Sequence, residues 1–184
     1  MGLDIFLQTE IELERNNLDN FETQSLSREF CNLMCRKDVV DHEPELDQIG
    51  KLVDVDISCF YQMNMYPDDE YIAESIEFAK SEAEKETILA NAAASRKAIT
   101  GNITTVLQTL NALLEKLSSI DNLPSLLLPT DFDTLNNAYY FSDFMQDKGK
   151  GYIDNNFGQD LRNFKRFVEA ALASGNKTIW FSYG

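Results

Sequence analysis

Cysteine and histidine are scarce in this sequence. The chain of 184 residues contains three cysteines and one histidine, His42. Three cysteines are an odd number and too few for a disulfide framework, which is typical of proteins from a reducing compartment. His42 lies beside Asp41 and Glu43, and neighbouring carboxylates favour the protonated imidazole over the free base. A catalytic histidine paired with a nucleophile therefore has little support, and we expect a non-enzymatic protein.

Basic residues are few, and the charge is unevenly distributed. The net charge is -15 at pH 7; residues 1–90 hold 22 Asp and Glu against 7 Lys and Arg, whereas residues 91–184 hold 9 of each. The acidic half should repel nucleic acid backbones and acidic membrane surfaces, so we expect no direct nucleic acid binding. It allows a basic protein partner. The alternative is a solvated acidic surface that only keeps the protein soluble.

Long apolar runs are absent as well. No run approaches the ~20 residues that a membrane span requires, so we expect no membrane insertion. Acidic residues, Asp4 and Glu10 among them, occupy positions where a secretory signal has a basic start and an apolar run. Phe6 stands where the N-myristoylation pattern requires Ser or Thr. We therefore predict a cytoplasmic protein with one domain over residues 1–184, since this length suits one sizeable core.

A long apolar stripe lies between residues 81 and 122. Its members recur in steps of three and four, which keeps them on one face of a helix. The stripe consists of Ile88, Ala92, Ile99, Ile103, Val106, Leu110, Leu113, Leu117 and Ile120. Ser81 stands three residues before Glu84, as in a capping box, and Pro124 ends the segment. The spacing predicts one long central helix, which other helices or a second copy of the chain must cover.

Gly101 is the weak point of this helix. Thr100, Gly101 and Asn102 allow a break, because Gly often ends helices and Asn often begins them. The stripe nevertheless continues in phase from Ile99 to Ile103. A mid-helix Gly costs only about 1 kcal/mol relative to Ala. A continuous helix is the favoured interpretation, and a break at Gly101 is the alternative.

The rest of the chain predicts strands at both ends and helices between them. Residues 2–14 and 177–183 read as strands, and the aromatic run 138–144 also suggests a strand. Helices are predicted from Ser25, Pro44, Pro67 and Asn156, with a short extended piece within 53–61 and one helical turn within 130–137. The prediction is an α+β fold that is mainly helical, with one long central helix and a small sheet that includes the N- and C-terminal strands.

The loop 147–158 is the main candidate ligand site. Its glycines precede a predicted helix start, where unpaired amides attract anions such as phosphate or carboxylate, and its lysines add positive charge. The candidate ligand-binding residues are Lys148, Lys150, Tyr152, Asn156 and Arg162. The segment resembles the middle of an EF-hand loop, but lysines stand at ligand positions, which argues against calcium. The opposing interpretation is that these cations pair with the chain's own carboxylates or are solvated.

Cys31, Cys35, His42 and Cys59 are candidate zinc ligands. Cys31 and Cys35 share a predicted helix face, whereas structural zinc sites pair cysteines in a tight turn. The spacing to His42 and Cys59 follows no zinc pattern. Buried cysteines that act as small hydrophobes are the favoured interpretation. We therefore predict no metal and no cofactor, while the sequence leaves open whether these four residues lie close in space.

The opening residues MGLDIFL resemble the start of a loose set of uncharacterised small bacterial and phage-encoded proteins, which begin with Met-Gly-Leu-Asp and a hydrophobic strand. The similarity covers the first strand. No activity is established for that set, so the resemblance implies no chemistry and no functional residues. It implies a bacterial or phage origin and a cytoplasmic location.

Two functional hypotheses follow from these patterns. The leading one is a non-enzymatic acidic protein-interaction domain, which binds a protein partner or a second copy of itself through the long helix. It depends on the apolar stripe, the one-sided charge and the lack of a catalytic constellation. The alternative is a small-anion or phosphate binder, or an enzyme, that uses loop 147–158 at a helix N-terminus.

Overall fold

A computed structural model describes residues 4–13, 26–128, 137–142, 144, 147, 149 and 155–184. Its helices and strands are, in chain order, β1 (Ile5–Thr9), α1 (Arg28–Cys35), α2 (Glu45–Val53), α3 (Ser58–Asn64), α4 (Asp69–Glu77), α5 (Glu82–Ile99), α6 (Ile103–Leu117), α7 (Asn137–Tyr140), α8 (Phe157–Ala173) and β2 (Ile179–Tyr183). Two short 3₁₀ helices, Arg36–Asp38 and Leu123–Leu126, complete the described elements.

The two strands form one antiparallel sheet. Their register places Ile5 opposite Tyr183 and Thr9 opposite Ile179. Just beyond the strands, Asp4 and Gly184 exchange two backbone hydrogen bonds, at 3.0 and 3.1 Å. The predicted pairing of the terminal strands is therefore confirmed, as is the mainly helical α+β class.

The core lies between α6, α8 and the inner face of the sheet. The α6 half of the predicted stripe is buried as expected, because its aliphatic residues face α8. Aromatic rings fill the space between α8, α1 and β2: Phe164 lies edge-on to Phe30 and packs against both Phe60 and Phe181. Burial of such large apolar side chains is the main favourable contribution to folding.

The predicted continuous central helix is wrong, because the structure divides it into α5 and α6 at Thr100–Asn102. Gly101 has φ +80°, a left-handed conformation that a helix interior does not contain. The amide of Gly101 donates to the Thr178 hydroxyl at 3.2 Å, and the amide of Ile103 donates to the Lys177 carbonyl at 3.1 Å. The segment before β2 thus satisfies donors that a continuous helix would satisfy internally.

Two shorter predictions also need correction. The aromatic run 138–144 was predicted as a strand. Residues 138–140 belong instead to α7, and both Tyr140 and Phe141 are fully buried. A strand with one wet face cannot bury two consecutive side chains, because they point to opposite faces. The extended piece predicted within 53–61 is helical from Ser58, where Asp56 accepts a hydrogen bond from the Ser58 amide at 2.9 Å. The turn predicted within 130–137 lies outside the described residues, apart from its last position.

Candidate functional site

We define the arm as residues 68–99, which comprise α4, the connection 78–81 and α5. None of the nine residues of α4, all of them described, is buried. Of the eighteen residues of α5, Ala92 and Ile99 alone are buried. The two helices pack along each other, and their outer faces are exposed to solvent. The arm is therefore a helical hairpin that projects from the core.

Local sequence explains how the arm is helical without a core to cover it. Asp68 caps α4 by accepting from the Tyr71 amide at 2.7 Å, and Ser81 caps α5 by accepting from the Glu84 amide at 3.2 Å. The Glu84 carboxylate reaches back to the amide of Lys80 at 2.7 Å, an arrangement close to a capping box. α5 is rich in Ala, Glu and Lys, which have high intrinsic helix propensity.

The arm concentrates negative charge around exposed apolar side chains. Residues 68–86 contain eight Asp and Glu but only two Lys. Among these charges Phe78, at the end of α4, is 72% exposed, and Tyr71 is 61% exposed. Large exposed apolar groups of this kind mark interaction surfaces when they are grouped, whereas isolated ones are ordinary. On the arm they lie in one small element in which carboxylates outnumber cations.

Arg96 connects the two helices of the arm to each other and to residues 66 and 67, which precede the arm. Its guanidinium donates to the carbonyl of Pro67 at 2.9 Å and pairs with Asp69 at 2.7 Å. It also lies over the ring of Tyr66, 5.2 Å from the centroid. That ring in turn stacks on Trp180 of β2 with 4.2 Å between centroids. The stack links the base of the arm to the sheet.

A cleft of about 560 Å³ separates the arm from β2. One wall is formed by the arm, with Tyr71, Ile72 and Ile88 as its main apolar groups, and the other by residues 181–183 of β2. Residues 64–67 close one side. The volume lies within the ~300–1,000 Å³ that ligand-binding clefts usually have.

The predicted anion site at the start of α8 is only partly described. Lys148, Lys150 and Tyr152 lie outside the described residues. Asn156 is buried at the N-cap of α8, where its side chain accepts from the Gln159 amide at 2.8 Å. The side chain of Arg162 donates to the carbonyl of Phe144. Both described members of the predicted set therefore bond to the protein itself.

The neighbouring cations of α8 are also paired. Arg166 forms an ion pair with Asp147 and donates to Asn163 at 2.7 Å, while Lys165 lies 3.8 Å from Glu169. These side chains and Arg162 line a depression of about 400 Å³. Since carboxylates share this depression with the cations, an anion would have to displace internal partners. The anion hypothesis itself stays a prediction.

Asp160 is the centre of a buried polar cluster that the sequence did not reveal. Its carboxylate accepts from the Ser27 amide at 3.0 Å, the Ser27 hydroxyl at 2.5 Å, the Tyr140 hydroxyl at 2.9 Å and the Asn155 amide at 3.2 Å. Burial raises the pKa of Asp160 to about 6, although the hydrogen bonds from Ser27, Tyr140 and Asn155 oppose that rise. The cluster ties three segments of the chain together, so we assign it a structural role.

The candidate zinc ligands do not form a metal centre in the described structure. Cys31 lies beside Cys35 on α1, while the thiol of Cys59 lies 3.5 Å from the Thr109 hydroxyl. Within the described ranges, no three His, Cys, Asp or Glu side chains form a group that could hold a metal ion. None of the three cysteines, all of which are described, forms a disulfide. Burial raises the pKa of Cys31 to about 12, with the neighbouring Cys35 adding to the rise.

Comparisons with protein-family models, curated proteins and solved structures gave no match to this chain. Across the part of the chain that the structure describes, no helix is both long enough and apolar enough to cross a membrane. The functional argument therefore depends on the geometry of the arm and the cleft.

Sequence reasoning predicted the helices of the arm, but it joined α5 to α6 as one long helix and did not identify the arm itself. The stripe positions Ile88, Ala92 and Ile99 are widely spaced compared with those of α6, and alanines surround them. This thin stripe was the available signal that the first half of the segment is mostly exposed, with contacts to α3 and α4. The cleft could not be found in the same way, because its walls come from residues far apart in the chain.

Proposed function

We propose that this chain is a non-enzymatic protein-interaction domain that binds a protein partner through its acidic arm. The observation that carries the proposal is the projection of the arm, which leaves α4 without buried residues and Phe78 exposed among carboxylates. Aromatic side chains within a charged rim are typical of the residues that dominate binding energy in protein interfaces. The sign of the charge favours a basic partner, since complementary charge accelerates association and excludes acidic competitors.

A second copy of the chain is the alternative partner of the arm, and the charge of the chain argues against it. Each copy carries -15, with eight carboxylates within residues 68–86 of its arm. Two arms that meet tip to tip would repel each other, most strongly at low ionic strength. Light scattering over a range of protein concentrations separates the two cases, because self-association requires a mass that rises with concentration.

The proposal includes a cytoplasmic setting and a bacterial or phage origin. The thiols of Cys31, Cys35 and Cys59 are not in disulfides, which supports a reducing compartment, where such side chains persist without oxidation.

Site-specific crosslinking tests the use of the arm. A photo-crosslinking analogue is placed at Phe78, and the control carries it at Val39, which is 73% exposed but lies outside the arm. We expect Phe78 to capture a defined protein in cells of the native host, and Val39 not to capture it. Replacement of Glu70, Glu74 and Glu77 by Gln should weaken the capture, because it removes charge without adding bulk. Equal capture from both positions would reject the arm as the binding surface.

The anion-binding alternative has one supporting observation, the depression that Arg162, Lys165 and Arg166 line together. The ion pair between Arg166 and Asp147 and the bond from Arg162 to Phe144 count against it. We therefore place it second, as a site for phosphate or a carboxylate ligand.

A further inference from the structure

The cleft between the arm and β2 has almost no charge on its walls. Asp68 is the single charged side chain among the described residues that line it, and its carboxylate caps α4 by accepting from the Tyr71 amide at 2.7 Å. These lining residues include no lysine or arginine, while eight carboxylates lie within residues 68–86. An anion would be repelled there, and a cation would leave water for one carboxylate that is already hydrogen-bonded. The cleft therefore suits an uncharged ligand.

The wall formed by β2 already uses its polar side chains within the protein. The hydroxyl of Tyr183 donates to the side chain of Asn64, and the hydroxyl of Ser182 accepts from Gln8 at 3.1 Å. Phe181, the remaining residue of this wall, is buried. This side of the cleft therefore offers a ligand mainly apolar contact.

The arm wall carries uncharged polar side chains that are available to a ligand. Ser75 on α4, and Asn91 and Ser95 on α5, all line the cleft. Within the described part of the chain, none of these three side chains forms a hydrogen bond. Asn91 and Ser95 are four residues apart, so they lie on one face of α5. The amide of Asn91 presents a donor and an acceptor side by side, which matches a ligand edge with the complementary pair.

Tyr71 supplies an aromatic surface beside these polar groups. It lines the cleft, yet it is 61% exposed. Among the described residues, no ring or cation packs against the Tyr71 side chain and no group bonds to its hydroxyl. Tyr66 differs, because its ring stacks on Trp180 and lies under Arg96. Since aromatic side chains stack favourably on planar heterocycles, Tyr71 is the ring that a planar ligand would cover.

We infer that the cleft binds an uncharged planar heterocycle, of the kind found in nucleobases and unphosphorylated nucleosides. The heterocycle stacks on Tyr71, and its edge pairs with the amide of Asn91, as asparagine pairs with adenine in nucleic acid complexes. Ser75 and Ser95 bond to further polar groups of the ligand, such as ribose hydroxyls. The volume of about 560 Å³ is sufficient for such a molecule. The inference goes beyond the proposed function, because it gives the cleft a small-molecule ligand that does not depend on the protein partner.

Calorimetric titration with adenosine, guanosine, cytidine and uridine tests the class of ligand. Ribose and the corresponding 5′-monophosphates are the comparisons, because ribose lacks the planar ring and the monophosphates add charge. We expect at least one nucleoside to bind saturably, its monophosphate to bind about tenfold more weakly, and ribose not to bind. Fluorescence of Trp180 gives a second signal, since this single tryptophan stacks on Tyr66, which lines the cleft. The inference is overturned if none of the nucleosides binds, or if ribose or the monophosphate binds as tightly as the nucleoside.

Substitutions in the arm wall locate the binding. Tyr71→Leu removes the aromatic ring, Tyr71→Phe keeps it, and Asn91→Ala removes the amide. We expect Tyr71→Leu and Asn91→Ala to weaken nucleoside binding, and Tyr71→Phe to bind like the parent protein. Asn111→Ala is the control for Asn91→Ala, because Asn111 is exposed on α6 and is not among the lining residues. Circular dichroism verifies that each variant is folded, and unchanged affinity in either Tyr71→Leu or Asn91→Ala would also overturn the inference.

Phe78 is not among the residues that line the cleft, so crosslinking from Phe78 tests the proposed function separately. Nucleoside binding and capture of a protein partner can each succeed or fail without the other.

Discussion

The side chain of Asn102 pairs with the backbone of Ile179 through two hydrogen bonds of 2.9 Å each. The neighbouring amides of Gly101 and Ile103 donate to the side chain of Thr178 and the carbonyl of Lys177. Three consecutive residues at the break thus bond to the segment that enters β2. The break therefore joins the base of the arm to the sheet.

Replacement of Asn102 by Ala should destabilise the fold by about 2 kcal/mol. The substitution removes two hydrogen bonds and leaves the Ile179 amide and carbonyl without them, at roughly 1 kcal/mol for each bond. Urea unfolding measures the change as a lower midpoint. Asn111→Ala is the matched control, because Asn111 is exposed on α6, and it should be neutral or slightly stabilising. Equal midpoints for the two variants would contradict this role of Asn102.

Gly101→Ala distinguishes the broken helix from a continuous one by the sign of its effect. In a continuous helix the substitution would stabilise by about 1 kcal/mol, since Ala is the better helix former. The structure predicts the opposite, because Gly101 has φ +80°, and none of the described atoms lies within 4 Å of the added Cβ to compensate or to clash. Backbone strain then costs about 1 kcal/mol. Thermal unfolding of the variant should show a lower midpoint, and a higher one would favour the continuous helix.

Much of the fold followed from the sequence because its signals are local. The in-phase aliphatic residues from Ile103 to Leu117 predicted α6. Strands were predicted over 2–14, from its alternation, and over 177–183; the structure forms them as the shorter β1 and β2. The break at Gly101 was only the alternative interpretation, because local signals did not decide between it and a continuous helix. It depends on contacts with residues 177–179, which lie more than seventy positions away in the chain.

The candidate site was less accessible to sequence reasoning. The run 138–144 has strand-like composition, but Tyr140 turns inward to reach Asp160, which is a tertiary contact. The glycines and lysines of loop 147–158 suggested an anion site, yet Asp147 supplies an internal anion for Arg166. The arm projects because few other elements pack against it. A single sequence gives little indication of such missing contacts.

Asp160 should give the stability a pH dependence of defined sign. Its pKa is about 6 in the folded protein and 3.8 as its ordinary value, so the folded state takes up the proton first as the pH falls. The contribution of Asp160 to the free energy of unfolding therefore increases as the pH falls from about 6 toward 4. This contribution is lost as the pH rises through 6. Between low pH, where Asp160 is protonated, and high pH, where it is ionised, its contribution to the free energy of unfolding changes by roughly 3 kcal/mol.

Asp160→Asn isolates this contribution, because its side chain does not ionise. We expect the unfolding free energy of the parent protein minus that of the variant to decrease between pH 4.5 and pH 7. An increase over that interval would show that the four hydrogen bonds favour the carboxylate enough to reverse the effect of burial.

The three thiols should differ in reactivity. Cys31 is buried, and burial together with Cys35 raises its pKa to about 12; burial also raises the pKa of Cys59. Because the thiolate is the reactive form, neither should react readily near neutral pH. Cys35 is partly exposed. A thiol reagent should therefore modify one cysteine rapidly and all three only after unfolding, as mass spectrometry of the labelled protein can show. Rapid modification of Cys59 would contradict its burial against Thr109.

Asp147 decides whether the cations of α8 are available to a ligand. Burial raises its pKa, but the hydrogen bonds from Arg166, Gly149 and Gln159 outweigh burial and lower the pKa to about 2. The carboxylate therefore stays ionised at ordinary pH, and its contribution to stability is lost only as the pH falls from about 4 toward 2. As long as it is charged, it occupies Arg166 and repels anions near it.

Asp147→Asn should consequently raise the affinity for inorganic phosphate. The variant removes the competing charge but keeps the size of the side chain, so Arg166 becomes available to an external oxyanion. Nuclear magnetic resonance titration at Gly149, Asn156 and Arg162 measures the effect, with Asp121→Asn as the control, since that residue is exposed and lies outside this depression. We expect little response in the parent protein and a clear, saturable one in the variant. Strong phosphate binding by the parent protein would instead favour the anion-binding function, because the ion pair would then fail to block the site.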